Sequence, residues 1–146
     1  AKLVAEGKLE PKEKIEKKVV YHDGCYLGRY NGVYDAPRRI LGAIPGLKVE
    51  QIAASRERGL CCGGGGGRFF MEEDPDKRVN NLRIDGIMQA KPDAIASACP
   101  YCMTMLTDGL KAKDLYDTHG QLDVAELLAI SCGLSDRKQL KEQKAE

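Results

Sequence analysis

The sequence has no tryptophan and only two phenylalanines. Single-stranded nucleic acid is usually gripped by stacking bases on aromatic side chains, so this scarcity speaks against that role. Nor is there a charge excess: 23 Lys and Arg stand against 22 Asp and Glu, a formal net charge of +1. Nucleic acid and anionic membrane therefore lose their electrostatic case as main partners. No apolar run approaches the roughly 18 residues a membrane span needs. The first 18 residues are rich in Lys and Glu and lack the apolar stretch of a signal peptide. No membrane contact is expected from this segment itself. The chain opens on Ala rather than Met, so a fragment or processed product is expected, with any anchor or second motif lying upstream.

What is present is an ordinary globular composition, 42% hydrophobic over 146 residues, which predicts a single domain with a core of its own. Six cysteines are its one unusual feature. Disulfide scaffolds are shorter and rely on their bridges for lack of a core, so a reducing compartment is the expectation. The expected layout is a charged linker or peripheral helix over 1–17, the domain proper over 18–134, and a charged tail over 135–146.

Along the chain, strand and helix signals alternate. Lys18–Asp23 is β-branched and runs into Gly24 and Cys25, as a strand ending in a loop. Asp35 and Pro37 open a helix carrying Ile40, Leu41 and Ile44, which Pro45 and Gly46 stop. Leu47–Ile52 alternates as a second strand. Asp74 and Pro75 open another helix, with Val79, Leu82, Gly86, Ile87 and Ala90 on its apolar face. Ala94–Ala98 reads as a buried central strand delivering Cys99 and Cys102 to the start of a third helix, with Met103, Leu106 and Leu110 inward. Leu115–Asp117 reads as a short fourth strand, and Asp123 caps a last helix bearing Val124, Leu127 and Leu128. The alternation predicts an α/β fold, a small and mostly parallel sheet flanked by helices. Ligands in such folds bind at the carboxyl ends of strands, where this order places cysteines.

The cysteines follow the pattern C-x35-C-C-x36-C-x2-C, and the adjacent pair is followed by five glycines, Gly63 to Gly67. Glycine lets backbone approach a bulky inorganic group without Cβ clashes, and amides pointing at its sulfurs help set its potential. Cys99 and Cys102 flank a helix start, where free amides favour a thiolate. An iron–sulfur cluster suits this pattern. A closed zinc site is the main alternative, although zinc has little use for a fifth, adjacent cysteine. Metal-free thiol exchange through Cys99 and Cys102 is a third reading.

Three stretches carry a family resemblance: His22 to Arg29 (HDGCYLGR), Cys61-Cys62 with its glycines, and Ala98 to Met103 (ACPYCM). They resemble the cysteine-rich CCG domain of heterodisulfide reductases, found also in iron–sulfur subunits of glycolate and lactate oxidases and of anaerobic glycerol-3-phosphate dehydrogenase. The resemblance runs from about Val19 to Leu128. It implies a Rossmann-like domain in which Cys25, Cys61, Cys62, Cys99 and Cys102 bind one four-iron (4Fe-4S) cluster, of the noncubane form in the best-characterised relatives. It further implies an electron-transfer role within an oxidoreductase complex of anaerobic metabolism, acting as a relay or on a disulfide or quinone-type acceptor. The implied partners are ferredoxin-like or flavoprotein modules of the same complex, with no nucleic acid. The implied location is cytoplasmic, at the inner membrane face through other domains or subunits. Zinc in a structural or docking module is the alternative. Family members commonly carry two such motifs in tandem. This chain carries one and most resembles the carboxy-terminal copy.

Several residues invite functional readings that simpler ones rival. Gly63–Gly67 lacks the lysine of a phosphate loop. Cys132, far from the other cysteines, reads as a small core residue. His22, beside the first cysteine, reads as structural, with a hydrogen bond to a cluster or a proton relay as the functional option. His119 reads as solvated, and Arg29, Arg68 and Lys77 as surface charge, with a role in balancing cluster charge or rimming a docking surface as the alternative.

Overall fold

A computed structural model describes residues 1–135. Its sheet holds β1 (Lys18–Tyr21), β2 (Lys48–Glu50), β3 (Ala94–Ser97) and β4 (Gly120–Asp123) in the order β2-β1-β3-β4, every pair parallel. Side chains alternate across the sheet with the two-residue period of a strand. Val19, Tyr21, Ala94, Ala96 and Leu122 face one core, shared with Leu41, Leu127 and Ile130. Val20 and Ile95 face the other, shared with Ile84, Ile87, Met105, Leu106 and Leu110. Helices α2 (Asp35–Gly42) and α5 (Val124–Ser131) cover the first face, and α3 (Val79–Met88) and α4 (Pro100–Ala112) the second. With both faces covered, β3 is wholly buried, as its small-residue run requires.

The amino-terminal segment packs on this frame. After the single turn of α1 (Lys2–Ala5), the amides of Lys12 and Glu13 donate to the Ser131 carbonyl, each at 2.8 Å, and Ile15 enters the core at 3% exposure. Of the charged tail expected over 135–146, all but Ser135 lies outside the described residues. Among the described residues no helix is long and apolar enough to cross a membrane.

Three local expectations are corrected. The strand expected at Leu115–Asp117 is a turn, in which the amides of Thr118 and His119 both donate to the Leu115 carbonyl; the fourth strand is Gly120–Asp123. Three residues of propensity could not outweigh the register with β3, which pairs Ala94 to Gly120 and Ser97 to Asp123. Asp74 and Pro75 open only a 3-10 turn, Pro75–Lys77, and α3 begins at Val79 after an extended Arg78. Its buried face is Asn80, Arg83, Ile84 and Ile87, while Leu82 is 50% exposed. On α4 the inward methionine is Met105 rather than Met103. By contrast, Asp123 caps α5 as expected: its carboxylate accepts from Ala125 N–H at 2.7 Å, and Glu126 accepts from Asp123 N–H at 2.8 Å.

Helices α3 and α4 meet closely at Gly109. A Cβ there would stand 2.8 Å from Ile84 Cγ1 and 3.2 Å from the Asn80 carbonyl oxygen. Gly109→Val should therefore cost about 2 kcal/mol or more through overpacking. Gly86→Ala, where a Cβ meets nothing within 4 Å, should instead stabilise by about 0.5–1 kcal/mol. Urea denaturation of the two variants checks the contrast.

Candidate metal centre

Cysteines reach the carboxyl edge of the sheet from three loops. Cys25 follows β1, Cys61 and Cys62 close the loop after β2, and Cys99 follows β3 as the N-cap of α4, one turn before Cys102. Pro100 occupies the first position of α4, where its missing N–H breaks no helical bond. The loops lie against one another. A Cβ on Gly24 would stand 3.5 Å from Cys99 Cβ and 3.8 Å from Cys102 Sγ, so the first loop runs along the Cys99–Cys102 pair. Cys25 and Cys61 line one cleft together with Asp23, Arg29 and Arg56.

The thiols themselves form a chain. Cys61 lies against Cys62, and the Cys62 sulfur lies within 4.8 Å of that of Cys102. That contact with Cys102, reinforced by burial, pushes the Cys62 thiol up to about 11, against the pull of Cys61 and of the Gly64 amide. Cys61 is pushed higher still, first by its contact with Cys62 and then by burial. Backbone amides oppose both shifts: Gly63 N–H donates to Cys61 Sγ at 3.3 Å, with Gly65 assisting. Sulfurs packed this way cannot all ionise against one another, yet amides already point at them. That donor set fits a thiophilic metal or cluster, whose positive charge lets several thiolates coexist.

Two of the five glycines stand where a Cβ would crowd its neighbours. Gly63 sits at φ 90°, a region closed to most side chains, and a Cβ on it would stand 3.3 Å from Val79 Cβ. At Gly64 a Cβ would stand 3.1 Å from Met105 Cγ and 3.7 Å from Cys62 Sγ. The close approach that the glycine run suggests is thus made at its first two members.

A carboxylate ties the edge together. Asp23, whose side chain is 4% exposed, accepts both terminal nitrogens of Arg38 from α2, at 2.6 and 2.8 Å, and the Arg56 amide at 2.7 Å. Burial alone would raise its pKa, but Arg38 and the Arg56 amide outweigh it and hold Asp23 below the usual carboxylate value. Arg56 sits at φ 55°, and its guanidinium is pinned to Asp35 at 2.7 Å. Arg29, read as surface charge, donates to the Gly59 carbonyl at 2.9 Å and so ties the loop of Cys25 to that of Cys61. Arg68 pairs with Glu73 and exposed Lys77 with Asp74, so neither is committed to the thiols.

His22 is 1% exposed and closer to the site than sequence position alone indicates. One of its ring nitrogens and the sulfurs of Cys62 and Cys102 lie within 4.8 Å of one another. Burial, helped by the Arg83 charge, lowers its pKa to about 3, so the ring is neutral. Arg83 itself escapes sequence reasoning. It is 1% exposed, donates Nε–H to His22 Nδ1 at 3.0 Å and Nη1–H to the Ala54 carbonyl at 2.7 Å, and lies near enough to Cys62 and Cys102 to sense their charge. The available signal was its place three residues after Asn80 and four before Ile87, on a face that proved to be the inner one. Cys132 stands apart: it caps the far end of α5, half-buried, with no disulfide. His119 is half-buried beside Thr118 and outside the site.

The sequence model of the CCG family, described as a cysteine-rich domain, matches residues 19–107. The chain is 48% identical over 138 residues, 94% of its length, to the probable iron-sulfur-binding oxidoreductase FadF of Bacillus subtilis. It is 46% identical over 135 residues to the EtfAB:quinone oxidoreductase of Syntrophomonas wolfei, a match covering 88% of this chain. A third relative, from the dihydromethanophenazine:CoB--CoM heterodisulfide reductase of Methanosarcina barkeri, is 36% identical over 92% of the chain. The matched segment spans only 20%, 19% and 32% of these three proteins. No solved structure matches the chain.

The Asp23 anchor yields a test that needs no metal. Asp23→Ala strands Arg38 and frees the Arg56 amide, and should cost about 3 kcal/mol. Because the folded pKa lies below the unfolded one, the contribution is full above the unfolded aspartate value, about 3.9, and is lost as pH falls through the folded value. Denaturation of the metal-free protein between pH 7 and 3 should show wild type losing part of its advantage over Asp23→Ala as the solution is acidified.

Proposed function

The chain belongs to the CCG cysteine-rich domain family, and on that premise we propose that it is the iron–sulfur electron-transfer domain of a larger heterodisulfide-reductase-like oxidoreductase. Cys25, Cys61, Cys62, Cys99 and Cys102 hold one four-iron cluster, of the noncubane form. The observation that carries this reading is the meeting of three cysteine loops at one sheet edge, where the thiols of Cys61, Cys62 and Cys102 crowd one another. Relatives named as iron–sulfur or quinone oxidoreductases support it.

When bound, such a cluster takes up and releases one electron at a time. The protein's part is to hold it and tune it. The Gly63 amide donates to Cys61 sulfur, with those of Gly64 and Gly65 close by, and donors aimed at sulfur favour the more negative, reduced state. Met105 and Ile84 close the core on the inner side. The outer side carries Tyr26 and Tyr101, 75% and 66% exposed, each next to a ligand cysteine. That apolar rim suits a docking module, flavoprotein or ferredoxin-like, passing electrons towards a disulfide or quinone-type acceptor. The setting is cytoplasmic, at the inner membrane face through other parts of the complex.

One observation favours a second reading, a zinc-stabilised docking module: His22, Cys62 and Cys102 offer three donor atoms within 4.8 Å. The two part on composition. Protein purified without oxygen should contain about four irons and four sulfides per chain and show a paramagnetic signal in one redox state. About one zinc and no sulfide would overturn the electron-transfer reading. Cys61→Ala and Cys62→Ala should each lose or rearrange the cluster while leaving the sheet signal in circular dichroism. Unchanged iron and sulfide in both variants would overturn the ligand assignment.

A further inference from the structure

The buried pair Arg83 and His22 is what the thiol site alone does not account for. A guanidinium at 1% exposure ordinarily meets a carboxylate. Arg83 makes no ion pair among the described residues: its two hydrogen bonds go to a neutral ring and a backbone carbonyl, and its Nη2 is buried without a partner. A permanent positive charge held this way costs several kcal/mol unless an anion lies close. The groups near it able to carry negative charge are Asp23, already engaged by Arg38 and Arg56, and the thiols of Cys62 and Cys102.

The hydrogen bond to His22 has a chemical consequence. Arg83 can only donate, so His22 Nδ1 accepts, and the proton of the neutral ring resides on Nε2. A histidine that ligates metal shows the opposite arrangement, in which its second nitrogen donates N–H to an acceptor and leaves the first with a free lone pair. For His22 to ligate through Nε2, Nδ1 would have to carry a proton facing the Nε–H of Arg83.

We propose that Arg83 and His22 are a positioning pair: Arg83 locks His22 in its Nε2–H tautomer, and His22 donates that proton as a hydrogen bond to sulfur at the Cys62–Cys102 side of the centre. His22 is thereby a donor and not a metal ligand, and Arg83 supplies the charge that balances the anionic, thiolate-bound group. A hydrogen bond to sulfur and a nearby cation both stabilise the reduced state, so the pair raises the reduction potential. The redox part rests on the iron–sulfur reading; the tautomer part does not.

The experiment therefore has two arms. In metal-free protein labelled with nitrogen-15 histidine, the His22 ring resonances should be those of the Nε2–H tautomer, and Arg83→Gln should mix in the other tautomer. An Nδ1–H tautomer in wild type overturns the proposal whatever metal the protein carries. In the iron-loaded chain, prepared without oxygen, His22→Phe should keep its iron and sulfide. Its midpoint should shift negative by about tenfold in the reduction equilibrium, about 59 mV for one electron. His22→Gln, which restores a donor, should recover part of that shift, and Arg83→Gln should move the midpoint the same way as His22→Phe. Loss of iron from both His22 variants with the fold retained would make His22 a ligand and overturn the proposal. So would unchanged midpoints in all three variants. Should His22→Phe fail to fold, pulsed electron paramagnetic resonance on labelled wild type decides: weak nitrogen coupling supports the donor role, and strong coupling overturns it. If wild type holds zinc and no sulfide, the electron-transfer reading fails while the tautomer result stands on its own.

Discussion

Several sulfurs must share one small volume at the end of a parallel sheet, and much of the surrounding structure answers to that constraint. The contact of Cys61 with Cys62, and of Cys62 with Cys102, pushes the Cys61 and Cys62 thiols up. A site built this way is satisfied by positive charge and by donors aimed at sulfur. An amide of the glycine turn supplies a donor from one side, and Arg83, buried against His22, places a positive charge near the sulfurs from the other.

The sheet makes such crowding feasible. Its strands run parallel, so the loops that follow β1, β2 and β3 leave from one edge. Two cross-ties then hold the first two of these loops together: Asp23 to Arg38 and the Arg56 amide, and Arg29 to the Gly59 carbonyl. Neither tie involves a cysteine. The loops can thus keep their arrangement with contributions from the fold itself, while a bound metal adds the rest of the organising energy.

The relatives that the chain matches are much longer proteins. The matched segment corresponds to a fifth to a third of those proteins. The buried side of the centre, by contrast, is entirely this chain's own: Met105, Ile84, Arg83 and His22 come from elements within the domain.

From its sequence alone, the chain determines its α/β class, the placing of cysteines just after strands and most strands and helices. These follow from local signals: β-branched runs, the Asp123 cap, small residues in β3 and glycines beside cysteines all act over a few residues. What tertiary structure alone decided lies where local preference was weak or contradicted. Leu115–Asp117 has strand composition but turns, because pairing with β3 selects Gly120–Asp123. Leu82 is apolar yet exposed, and Arg83 is charged yet buried, because the rotation of α3 is set by Gly109 of α4 packing against Ile84 and Asn80. That rotation brings Arg83 under His22, 61 residues away in sequence. A charge finds so deep a place only where distant chain supplies its partners, and no window of sequence contains both.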